Sequence, residues 1–311
     1  MNGEDVVAAG TAAIRAGSKS FAAAARLFDR PTREGAVMLY AWCRHCDDVV
    51  DDQHLGFAAA PGRTDAGERL VRLEADTRSV LRGGPAAHPA FAALGQVVRR
   101  HAIPHKLPLQ HLAGFRMDVD GRRYETLGDT LDYGYHVAGV VGVMMAHVMG
   151  VRDEPTLDRA SDLGIAFQLT NIARDVLDDA RAGRTYLPRA WLAEAGIPPG
   201  EIAEPGHRAA LAVVAGRLIA AAEPYYHSAS VGIRALPPRA AWAIATARGV
   251  YRRIGIEVRA RGERAWDDRV STSPTQKLGH VMTGGAEALV SRLRPPAAVP
   301  RQGLYRRPLP V

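Results

Sequence analysis

The sequence predicts an all-α fold, a bundle of many helices around one central cavity. Three observations predict it. Apolar residues recur three and four apart in almost every segment. Val, Ile and Thr do not gather into alternating runs, and no two such runs flank a hairpin turn. Pro, Gly and capping residues punctuate the chain at helix-length intervals.

Taken in order, Asp5 to Phe28 is Ala-rich and helix-prone, interrupted by Gly17-Ser18-Lys19-Ser20-Phe21. Pro31 suits the first turn of a helix running to about Asp52. Gln53 to Thr64 reads as a loop, marked by Gly56, Pro61 and Gly62. Asp65 with Glu68 resembles a capping box and opens a helix to about Arg82, where Gly83-Gly84-Pro85 stops it. Pro89 to His101 and Leu107 to Gly121 read as two further helices. Thr126 with Asp129 starts another, which reaches about Met149. Pro155 begins a long helix, and a small one follows near Trp191. His207 to Ile233 and Arg239 to Arg261 are long helices separated by Pro237-Pro238, and Ser273 to Leu293 is the last. Residues 1–294 read as one all-helical domain, and 295–311, rich in Pro and Arg, as a poorly ordered tail.

Two acidic segments carry the chemistry. Four residues advance a helix by about 400° and about 6 Å, so groups at that spacing stack on one face. Asp47 and Asp51 make one such column; Asn171, Asp175 and Asp179 make a second, two turns tall. Like charges so placed weaken an isolated helix by about 0.2–0.5 kcal/mol per pair. A divalent cation would offset that repulsion, and hard oxygen ligands that leave room for phosphate oxygens suit Mg²⁺. A solvated acidic face is the alternative for one column alone. Two columns on separate helices argue against it. So does composition: the chain carries 40 Lys+Arg against 33 Asp+Glu, yet four Asp lie between Asp47 and Asp52. In the second helix Leu163 and Phe167 lie on the stripe that continues into Asn171, Asp175 and Asp179. An apolar stripe that turns into carboxylates points to the floor of a cavity.

The net charge of +7 suits polyanions, anionic membrane surfaces or small phosphorylated substrates. Nucleic acid fits poorly, because the Arg residues are scattered and no recognition-helix or zinc-finger signature is present. Cys43 and Cys46 form a C-x-x-C with neither a second pair nor a preceding strand, so both read as small core residues. Met1 to Gly10 lacks a signal pattern, and the most apolar stretch, Val137 to Val151, is too short to span a bilayer. The expectation is a cytoplasmic protein, compatible with peripheral contact at the inner face of a membrane.

Five segments together resemble the squalene and phytoene synthase family of head-to-head prenyl transferases, on its bacterial phytoene-forming side. They are Gly17-Ser18-Lys19-Ser20-Phe21, Tyr40-Ala41-Trp42-Cys43-Arg44-His45-Cys46-Asp47-Asp48, Tyr135-His136-Val137-Ala138-Gly139, Gln168-Leu169-Thr170-Asn171-Ile172-Ala173-Arg174-Asp175 and Arg184-Thr185-Tyr186-Leu187-Pro188. The resemblance implies the isoprenoid-synthase type of helical bundle, Mg²⁺ dependence (with Mn²⁺ as an alternative ion) and polyprenyl diphosphate substrates. The implied reaction condenses two geranylgeranyl diphosphates through a cyclopropyl diphosphate to 15-cis-phytoene, within carotenoid biosynthesis. No NADPH is expected, and other enzymes of that pathway are candidate partners.

By the same resemblance, Asp47, Asp51, Asn171, Asp175 and Asp179 would hold the metal, with Asp48 as an alternative or supporting ligand. Arg44, Lys19, Ser20, Phe21, Gln168, Arg174, Arg184, Tyr251 and Arg269 would meet the substrate. Tyr40 and Tyr133 would lie beside the reacting carbons; half-buried core rings are the alternative for each. His45, His136 and the four Trp read as structural. Val137 to Gly142 is expected to wall a channel for isoprenoid tails, with bulk at Gly139 or Gly142 shortening the accepted chain. Competing readings are a squalene or dehydrosqualene synthase using the shorter farnesyl chain, a non-catalytic all-α metal-binding protein, and a terpene cyclase or chain elongase. The metal-binding reading predicts Glu-x-x-His motifs paired on facing helices, and no two such motifs occur in the sequence.

Overall fold

A computed structural model describes residues 25–50, 53–54, 57–58, 65–293 and 300–308. Its elements follow the predicted order closely. Helix α1 (Arg30–Val50) leads to β1 (Gln53–His54) and β2 (Phe57–Ala58), then α2 (Ala66–Leu81), α3 (Pro89–His101) and α4 (Lys106–Val119). Next come α5 (Leu127–Gly134), a π-helical turn (Tyr135–Gly139), α6 (Val140–Val148) and α7 (Glu154–Arg181). The last are α8 (Arg189–Glu194), α9 (Arg208–Gly232), α10 (Pro238–Arg261) and α11 (Pro274–Leu293). The stretch expected to be a loop holds one antiparallel pair of two-residue strands, Gln53 opposite Ala58 and His54 opposite Phe57.

Local chemistry sets these boundaries. Asp65 caps α2 by accepting from the Gly67 N–H, rather than through the box expected with Glu68. The full capping box forms at Thr126 and Asp129. Thr126 opens a helical path to Val148 that is not uniform. At Tyr135–Gly139 the winding loosens to a π turn, a feature often found at functional sites.

Helix α7 is the spine, packing against the π turn, α6, α9 and α10. Its crossing with the π turn and α6 is close enough to need glycine. A Cβ on Gly142 would stand 2.3 Å from the Ala160 carbonyl oxygen, and one on Gly164 would stand 2.2 Å from that of Ala138. At Gly142 and Gly164 the two backbones touch, whereas a Cβ on Gly139 would meet the side chains of Ser161, Tyr135 and Ile165 at 3.1–3.2 Å.

The tail also differs from expectation. Residues 300–308 dock on the body, while 295–299 and 309–311 lie outside the described residues. Arg301 spans both oxygens of Asp162 at 2.7 Å and reaches Asp158 at 3.0 Å. Arg307 donates to Asp158 at 2.6 Å and to Glu154. The Tyr305 hydroxyl donates to Asp132 at 2.7 Å, and its backbone N–H to the Tyr225 hydroxyl at 3.0 Å. Glu154, Asp158 and Asp162 form a third four-residue acidic column on α7, paired with these two arginines. A Pro/Arg-rich composition suggests a loose end, but these arginines have acids to meet.

Candidate active site

A cavity of about 540 Å³ runs between α1, α4, the π turn, α6, α7 and α10. Its lining on α7 extends from Thr156 to Asn171, so it spans about 22 Å at 1.5 Å per residue. The wall is largely apolar along α6 and α10, through Val141, Met145, Ile244 and Val250. Polarity gathers at the Asn171 end, where Arg44, Asp47, Asp118 and Arg184 line it.

Helical spacing brings the first acidic segment here. Tyr40, Cys43, Arg44 and Asp47 lie on one face of α1, and all four line the cavity. Arg44 bridges Asp47 at 2.9 Å and Asp48 at 2.7 Å. Asp48 itself is buried away from the cavity wall. Burial raises the pKa of Tyr40 and pushes the Cys43 thiol up to about 12, so both stay neutral. His45 stacks on His88 at 4.0 Å, and His136 bonds the Asp132 carbonyl at 2.8 Å.

On α7, Gln168 and Asn171 line the same cavity. Asp175 is gripped by Arg174, whose Nε donates to Oδ1 at 2.8 Å, and by Arg269 at 3.3 Å. One turn on, burial and the nearby Asp175 push the Asp179 carboxyl up to about 7. Tyr251 lines the cavity and stacks on Phe167 at 4.1 Å. Lys19, Ser20, Phe21 and Asp51 lie outside the described residues.

Does this end suit a divalent cation? Among the described residues no three carboxylate, imidazole or thiolate groups converge tightly enough to hold one. The donor atoms present are compatible with one. The Asn171 side-chain oxygen is buried without a hydrogen-bond partner, a costly state that a ligand would relieve. The donor set is all oxygen, as a hard ion requires.

Sequence reasoning missed one centre of this site. Asp118 on α4 accepts from the Tyr133 hydroxyl at 3.1 Å and the Tyr186 hydroxyl at 3.0 Å. The two rings stack at 4.5 Å with 15° between planes, and all three residues line the cavity. Tyr186 stands in one of the five motifs, but the motif alone assigns it no role. Asp118 has no acidic partner four residues away, and its hydroxyl donors lie 15 and 68 residues along the chain, so no local pattern could reveal it.

Comparison with known proteins agrees with the geometry. A squalene/phytoene synthase family model matches residues 14–276. A protein of Enterobacter agglomerans named 15-cis-phytoene synthase is 55% identical over 95% of this chain and 100% of its own length. One of the same name from Pantoea ananas is 52% identical over 99% and 100%. Among solved structures, a dehydrosqualene synthase with a bound ligand superposes with a TM-score of 0.82 at 25% identity, covering 93% of this chain and 98% of that one. A squalene synthase from Alicyclobacillus acidocaldarius, at 22% identity and a TM-score of 0.73, shares the fold over 84% of this chain and 95% of that one. With its family model matched over most of the chain and its relatives matched end to end, the chain belongs to the squalene/phytoene synthase family, a prenyl-transferring all-α group.

Proposed function

We propose that this protein is a 15-cis-phytoene synthase. It joins two geranylgeranyl diphosphates through a cyclopropyl diphosphate, releases two diphosphates and acts in carotenoid biosynthesis. The carrying observation is the set of near-full-length relatives named 15-cis-phytoene synthase or phytoene synthase, 52–56% identical to this chain. The cavity supports it: one polar end and a long apolar body suit a diphosphate with a polyprenyl tail.

In this reading Asp47, Asn171, Asp175 and Asp179, with Asp51, hold Mg²⁺, or Mn²⁺ in its place. When bound, the ion supplies Lewis-acid neutralisation of the departing diphosphate. The chain's own groups do the rest. Arg44, Arg174, Arg184 and Arg269, with Lys19 and Ser20, meet phosphate oxygens and stabilise growing negative charge. Arg44 and Arg174 are already oriented by Asp47 and Asp175. Tyr133 and Tyr186 are held by Asp118, so their ring faces stay fixed beside carbocationic carbon. Tyr40 serves from the opposite wall. The apolar walls exclude water, which would otherwise quench the cation.

No reductant is required for a phytoene product. The reading includes a cytoplasmic protein that touches the inner face of the membrane; no helix among the described residues is long and apolar enough to cross one. Incubation with geranylgeranyl diphosphate and Mg²⁺, without NADPH, tests the function. Phytoene is the expected product. Turnover of farnesyl diphosphate alone would overturn the reading in favour of a dehydrosqualene or squalene synthase.

A further inference from the structure

The cavity's far end, from Thr156 to Leu163, carries the strap Arg301–Arg307 on its back. Glu154, Asp158 and Asp162 lie about half a turn around α7 from the residues that line the cavity. The strap's arginines therefore brace the wall of α7 from behind, at the end remote from Asn171, Asp175 and Asp179.

A continuous relay links the two faces. Arg301 grips Asp162, which is fully buried. Asp162 accepts from the Ser228 hydroxyl on α9. Arg159, which lines the cavity, donates to the Ser228 hydroxyl at 3.0 Å and to its carbonyl at 3.2 Å. A second branch runs from Tyr305 to Asp132, next in sequence to Tyr133.

We propose that this C-terminal strap sets the fit of the far end, and so favours a geranylgeranyl tail over a farnesyl tail. Arg301 is the positioning residue, acting through Asp162, Ser228 and Arg159. The inference rests on the reading of the cavity as a polyprenyl diphosphate site. A farnesyl chain, one isoprene unit shorter, stops short of the braced stretch; the last unit of a geranylgeranyl chain lies against it. A loosened wall must be ordered by that last unit, which weakens binding of the longer tail alone.

The test uses the full-length protein with Mg²⁺ and the unreactive thiolo analogues of both diphosphates, with Kd measured by calorimetry. In Arg301→Gln, Kd for the geranylgeranyl analogue should rise roughly five- to ten-fold, while the farnesyl value holds within about two-fold. Arg301→Lys should restore part of the difference. Tyr305→Phe, a milder change, should shift the ratio in the same direction. The ratio of the two affinities on one preparation is independent of how much protein is folded. An unchanged ratio in Arg301→Gln, or equal weakening of both analogues, overturns the inference. Failure of the wild type to bind either analogue would instead refute the substrate reading, and the inference with it.

Discussion

Asp118 is the residue on which two tyrosines depend. A hydrogen bond to an ionised acceptor contributes about 1.5–3 kcal/mol. Asp118→Asn keeps the size and removes the charge that holds both hydroxyls. Steady-state kinetics should show kcat reduced roughly ten- to a hundred-fold with KM little changed. Gly142 illustrates a different cost. Even one methyl group there would press on the Ala160 carbonyl, so Gly142→Ala should destabilise by about 1–3 kcal/mol in urea unfolding. The two residues differ in what sequence could reveal. The small and apolar run from Val137 to Gly142 reads as a cavity wall, and Val137, Ala138, Val141 and Gly142 do line the cavity, but spacing does not say which neighbour crosses Gly142. Asp118, with Asp120 two residues on and no acid four residues away on either side, forms no helical column.

At the scale of elements, helix ends were legible because caps and prolines act locally: Pro89–His101 begins and ends where predicted. The acidic columns were legible for the same reason, since four-residue spacing is a property of one helix. The π turn was not. It inserts looser winding into an otherwise helical stretch, and the run Tyr135 to Gly139 reads the same with or without it. The strap was missed for a subtler reason. Its partners, Glu154, Asp158 and Asp162, form a column as regular as the other two, but matching it to arginines some 140 residues away takes the fold. The ion pair at its centre buries Asp162 completely, and removing one partner strands the other. Arg301→Met should therefore lower stability by about 3 kcal/mol. Adding Asp162→Asn should recover part of it, as chemical denaturation of the single and double variants would reveal.

For the molecule as a whole, buried histidines make the fold sensitive to acid. His111 is pushed down to about 4 by burial, and His147 to about 4 by burial and the nearby Arg152. Both stay neutral in the folded chain, whereas unfolded histidine takes a proton near pH 6.5. Between those values the unfolded state binds more protons, so stability is full above about pH 6.5 and falls as pH drops toward 4. Each can cost up to roughly 3 kcal/mol across that window. Melting temperature measured from pH 7.5 to 4.5 should fall, and His111→Gln should flatten the slope.

The acidic columns lead to a different expectation. Arg44 balances Asp47 and Asp48; Arg174 and Arg269 balance Asp175. The bundle thus supplies its own counterions before any metal arrives. Treatment with a chelator such as EDTA, whatever it does to turnover, should lower the melting temperature only modestly and leave one cooperative transition, unlike a domain whose folding waits on its ion.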